Sequence, residues 1–303
     1  MSELWIAVTI GAAFAQSIRF MLQKKLRQRR LGTVAATFAR FLYSAPLVAL
    51  ILLVYARQSG QPVPLPEPRF WAPAMIGGAA QILATLCVVA LFSHRNFAVG
   101  ITFKKTEVLL SALVGLVVLG EGVSPAGLAA MAVGFWGVVL LSDPPDRSGA
   151  EPFLRRIFNP AAGLGLASGV FFAVSGVGYR AASLSLPTGD ALLRALLTLA
   201  VVTAAQVLAM AVWMGWRQRD QIVAVIAEWR VAALVGVTSM IGSIGWFTAF
   251  TLQNVAYVNA VGQVELIFSL LIGWLVFSER ISRREWQGLL LLGLSILCIV
   301  LLR

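Results

Sequence analysis

Apolar residues run through this chain in blocks of about 17 to 25, the length a helix needs to cross a hydrocarbon layer of roughly 30 Å. Ten blocks can be read, near residues 4–22, 33–55, 71–93, 96–119, 125–142, 160–180, 187–215, 230–252, 255–277 and 285–302. Polar residues fall mainly between them. Gly and Ala are frequent inside the blocks and strict two-residue alternation is absent. Close-packed helices explain that pattern better than the strands of a membrane barrel. The expected fold class is therefore all-α, a polytopic membrane protein with ten transmembrane helices.

The most polar and Pro-rich stretch, 143–158, stands near the middle with five blocks on each side. It reads as a linker between a first repeat, 1–142, and a second, 159–303. Sliding the chain against itself by 158 residues aligns 92–124 with 250–282 without a gap and with ten identities in 33 positions. The polar matches matter most, since Leu on Leu follows from composition. They are Asn96 with Asn254, Glu107 with Glu265, Ser111 with Ser269, Glu121 with Glu279, and Ser124 with Ser282. Trp71 and Trp229 keep the same offset, and Arg40 finds a counterpart in Arg194 after a small slip of register. An odd number of helices per half brings the second half into the membrane from the opposite side, a 5+5 inverted repeat. Two inverted copies of one fold can exchange conformations, which is what alternating access requires.

The segments Gly120-Glu121-Gly122-Val123-Ser124 and Ser278-Glu279-Arg280-Ile281-Ser282 close blocks four and nine. They resemble the repeated G-E-x-x-S ending of the ten-helix EamA group of the drug/metabolite transporter (DMT) superfamily. Arg40 and Arg194 resemble that family's second-helix arginine. The resemblance covers the whole chain and implies a central cavity lined by helices one to four and six to nine, with helices five and ten at the periphery. It also implies a broad substrate range, including amino acids, nucleotide-linked or sugar compounds, drugs and lipid-linked intermediates. Small four-helix relatives that export cationic drugs carry a first-helix glutamate; here that helix offers Gln16 and Arg19, which argues against cationic drugs.

Composition agrees with a membrane solvent: 59% hydrophobic, 12% charged, mean hydropathy +0.86. The net charge of +11 comes from Lys and Arg in the connections and not from one basic stripe, so no nucleic-acid partner is expected. Odd-numbered connections carry 15 of these residues, and the even-numbered ones with the C-terminal Arg303 carry 4. By the positive-inside rule both termini lie outside the cytoplasm. The family resemblance implies the reverse. The start lacks the basic region of a signal peptide and reads as a retained first helix. Cys87 and Cys298 fall inside blocks and read as packing residues.

Charges at mid-membrane cost at least about 2.5 to 3.5 kcal/mol, so each needs a partner or a cavity. In block four Gly100, Lys104, Glu107, Ser111 and Gly115 share a helical face; in block nine the equivalents are Val258, Gly262, Glu265, Ser269 and Gly273. Lys104 and Glu107, at i and i+3, are placed to pair. Lys105 points about 100° away from Lys104. Glu265 has glycine where its copy has lysine, which leaves it without a local cation. It is expected either to bind substrate or carry a proton, or to pair with Arg40, Arg194 or Arg19 across helices. On the proton reading, Glu265 is dispensable for folding and Glu107 is not. Asn259 and Gln263 add hydrogen-bonding groups, and Trp246, Phe247 and Tyr257 are candidates for an aromatic cavity wall. His94, and Glu121 and Glu279 at helix ends, read as solvated or capping residues.

This inventory favours a secondary active transporter of a small polar or zwitterionic, amino-acid-like metabolite in the cell (inner) membrane, with proton coupling as an option. Multidrug export or lipid-intermediate flipping on the same fold is the alternative, and a channel or intramembrane enzyme the remote one. A single histidine, no H-E-x-x-H and no nucleophile and base constellation argue against an enzyme. No cofactor or metal is expected, and the assembly is expected to be a monomer or homodimer.

Overall fold

The protein, in a computed structural model, is described over residues 3–28, 31–91, 103–141, 160–268, 271 and 283–302. The linker 143–158, His94, Gly100, Ser269, Gly273 and the 278–282 segment lie outside them. The described residues are helical with no strand. In chain order the helices are α1 (Leu4–Gln28), α2 (Thr33–Ser59), α3 (Pro68–Leu91), α4 (Glu107–Leu119), α5 (Pro125–Leu141) and α6 (Pro160–Leu184). They continue as α7 (Ala191–Arg217), α8 (Arg219–Ala227), α9 (Trp229–Leu252), α10 (Val255–Gly262) and α11 (Arg283–Leu302). By length and composition α1, α2, α3, α6, α7 and α9 can each cross a membrane; the other apolar helices are shorter.

Blocks four and nine are not continuous helices. A turn at Lys105 and Thr106 separates helical residues 103–104 from α4, and a turn at Gln263 separates α10 from helical residues 264–268. Lys105 and Gln263 are 158 positions apart, the offset of the repeat. At both turns the hydrogen bonds tighten to i, i+3: Thr106 N–H donates to Phe103 O at 3.2 Å, and Gln263 N–H to Ala260 O at 3.3 Å. Interrupted helices persist at membrane depth only where protein or a cavity meets the freed backbone groups.

Three helix pairings keep their pattern when the two halves are exchanged. α3 lies along α6, as α9 lies along α1; α4 packs on α6, as α10 packs on α1; α2 crosses α9, as α7 crosses α3. α7 and α6 also meet α9, more extensively than their counterparts meet α3, and three further pairs join equivalents: α2 with α7, α4 with α10, and α5 with α11. The last pair is held by Ser295 Oγ, which donates to Ala130 O at 2.6 Å. Both cysteines are free.

α8 has no counterpart in the pattern of apolar blocks, being nine residues long. Its Gln221 Oε1 accepts the Gly32 N–H at 2.7 Å, which ties it to the α1–α2 connection. Trp216 and Trp229 flank it, exposed, with the Arg217 guanidinium 4.4 Å from the first ring and that of Arg230 5.8 Å from the second. Aromatic and basic residues in this arrangement mark a membrane–water interface.

Candidate functional site

Between the halves lies a cavity of about 50 Å³. The first half contributes Gln16 of α1, Arg40 of α2, Gln81 of α3, Lys104, and Glu107 at the start of α4. The second contributes Phe172, Ser175 and Tyr179 of α6, Ser243, Trp246, Phe247 and Phe250 of α9, and Asn259 of α10. One wall is aromatic: Tyr179 stacks on Phe247 with centroids 4.1 Å apart, and Trp246 on Phe250 at 5.8 Å.

The polar floor is a network spanning both halves. Lys104 Nζ lies 3.2 Å from Glu107 Oε1, the pairing expected from their spacing, and 5.0 Å from the Phe172 ring centroid. Ser111 Oγ donates to Glu107 O at 2.6 Å and accepts Asn259 Nδ2 at 2.8 Å. Arg40 donates through Nε to Ser239 Oγ and through NH1 to Thr85 Oγ1, both at 2.9 Å. Arg19 stands behind Gln16, donating to Gln16 Oε1 at 3.3 Å and to Gln23 Oε1 at 2.8 Å.

Glu265 departs from expectation. It accepts Lys105 Nζ at 3.1 Å and Gln16 Nε2 at 3.0 Å, so a cation from the broken fourth block of the other half pairs with it. The chain break explains this: the turn at Lys105 swings that side chain away from Lys104 and across the repeat interface. The Trp246 ring packs directly against Gly262.

Three other candidates fall away from the cavity lining. Tyr257 accepts the Ser124 N–H at 3.1 Å at the start of α5. Arg194 sits in the first turn of α7 with its Nε buried and without a hydrogen bond, and Gln263 occupies the turn after α10. Glu121 is no cap. It takes Arg180 of α6 side-on, Nε at 2.8 Å from Oε2 and NH2 at 2.7 Å from Oε1, while Arg180 NH1 donates to Phe250 O at 2.6 Å. The ends of α4, α6 and α9 are tied together one residue beyond Tyr179. Sequence reading passed over Phe172, Ser175 and Tyr179, although their three- and four-residue spacing in an otherwise apolar, Gly-rich block marks one face of α6.

A model of the EamA-like transporter family matches residues 3–143 and again residues 159–301. The chain belongs to this family. An EamA-like transporter is a multi-pass membrane transport protein, and the two matches agree with two copies of one five-helix unit. A solved crystal structure that is 16% identical has a TM-score of 0.67, covering 96% of this EamA-like chain and 99% of its own, and so shares the fold. No curated protein matches in sequence. Among the described residues of this EamA-like transporter, no group of three or more His, Cys, Asp or Glu is placed to hold a metal ion.

Proposed function

We propose that this EamA-like protein is a secondary carrier that moves a small polar or zwitterionic metabolite, amino-acid-like in size, across the cell membrane by alternating access. One observation carries this reading: a cavity built from equivalent helices of two exchangeable halves, at the level where both interrupted helices turn. Interrupted helices in matched positions of two repeats are the usual setting of a carrier's site. Gln16, Arg40, Lys104, Glu107, Trp246 and Asn259 touch the solute in this reading, and the Lys105–Glu265 pair with Arg19 supports them. A proton would enter the cycle at Glu107 or Glu265, each of which must then release its lysine.

The aromatic wall of Phe172, Trp246, Phe247 and Phe250 favours a second reading, export of drugs or lipid-linked intermediates. Flux into proteoliposomes containing the purified chain separates a carrier from a channel. A carrier gives saturable uptake that is accelerated by unlabelled solute on the far side. Flux that neither saturates nor shows counterflow would mean a channel and end the proposal.

A further inference from the structure

The buried charges of the described residues do not balance. Arg19, Arg40, Lys104 and Lys105 stand against only Glu107 and Glu265. Both carboxylates are engaged, the first by Lys104 and the second by Lys105. Arg19 is held by the amide oxygens of Gln16 and Gln23, one before it and one after it in α1. Arg40 is the cation left facing the cavity. It is 4% exposed, lines the cavity, and among the described residues its polar partners are two neutral hydroxyls, Ser239 and Thr85.

A guanidinium has five N–H donors in a planar fork, and those two hydroxyls take one each. A buried cation with donors to spare and no carboxylate is costly at membrane depth unless an anion is supplied from elsewhere. A second donor points the same way. The indole Nε1 of Trp246, another lining residue, is buried without an acceptor. The cavity therefore combines surplus positive charge at Arg40 with a stacked aromatic wall that itself carries a spare donor, the Trp246 Nε1.

We propose that the solute is an organic anion whose carboxylate or phosphate docks on the free edge of the Arg40 guanidinium, with its apolar body against the aromatic wall. This rests on the carrier reading above and replaces its zwitterionic solute with an anionic one. A zwitterion would supply the anion but bring a further cation into a cavity already in positive excess; a bare amine would add to the excess.

The test uses the purified full chain and one aryl series in which only the head group changes: phenylacetate, phenyl phosphate, phenylalanine and phenethylamine. Binding is read from tryptophan fluorescence and carriage from counterflow in proteoliposomes. Phenylacetate or phenyl phosphate should bind about tenfold or more tightly than phenylalanine or phenethylamine, a difference typical of a charge-assisted pair. The tighter of the two anions tells a carboxylate site from a phosphate site. Arg40→Gln should lower anion binding to the phenylalanine level, and Arg40→Lys should keep the ranking at lower affinity. Should Arg40→Gln not fold, the wild-type ranking alone decides. Phenylalanine or phenethylamine binding as well as both anions, no binding by any of the four, or an anion preference that survives in folded Arg40→Gln would each overturn the anion site. Anion binding without counterflow would keep the site and end the carrier reading; counterflow of the amine alone would do the opposite.

Discussion

Lys104 and Lys105 are neighbours in sequence and part company in space, one turned into the cavity toward Glu107 and the other across the repeat interface to Glu265. Each lysine is 2% exposed, so each carboxylate neutralises a charge that water does not reach. Removing one member of such a pair strands the other, at a cost of about 3 to 5 kcal/mol. Glu265→Gln should therefore melt well below wild type, as Glu107→Gln should, and the double change Lys105→Met with Glu265→Gln should recover most of the loss. The melting temperature of detergent-purified protein checks this; a Glu265→Gln protein that melts with wild type would show that Lys105 does not depend on it. The pairing of Lys104 with Glu107 was legible because both lie on one local helical face. The partner of Glu265 was not, because it lies 160 positions away and is aimed by a turn.

At the level of elements, apolar periodicity located the spans but could not show where two of them break. Apolar residues continue through both turns, and the break is a property of backbone hydrogen bonding. α8 was missed for a different reason: nine residues cannot register as a block. Helix crossings were foreshadowed only as abundant glycine. Gly178 is a case where none but glycine fits, since a Cβ there would lie 2.8 Å from Pro73 O and 3.1 Å from the Gly77 Cα where α6 runs along α3. Gly293 on α11 would meet nothing within 4 Å. Gly178→Ala should thus push α3 and α6 apart and cost about 1 to 3 kcal/mol. Gly293→Ala should be neutral or slightly stabilising, by up to about 1 kcal/mol. Thermal melts of the two variants side by side make the comparison; equal melting would show that the α3–α6 crossing tolerates a wider spacing.

For the whole molecule, the repeat could be read from polar identities at one offset, and the exchangeable helix pairings accord with it. The cavity could be anticipated as a place but not as a list, since half its wall comes from α6 and α9 residues that look like ordinary span residues until the bundle closes. Orientation follows from charge. The basic C-terminal end of α1, with Lys24 and Lys25, and α8, with Arg217 and Arg219 at its start, share one end through the Gly32–Gln221 hydrogen bond, and exposed Trp216 and Trp229 lie there too. That end is expected to face the cytoplasm. Cysteines introduced at positions 28 and 59 decide it in intact cells: an impermeant reagent should reach 59 and not 28, and the reverse labelling would invert the orientation.

The Glu121–Arg180 tie lies at the opposite end from α8, where α4, α6 and α9 finish. Its two charges are partly open to water, unlike the buried pairs beside the cavity. Dissolved ions weaken attraction between charges they can approach and scarcely touch those they cannot. Salt in the compartment that this end faces should accordingly weaken the Glu121–Arg180 tie.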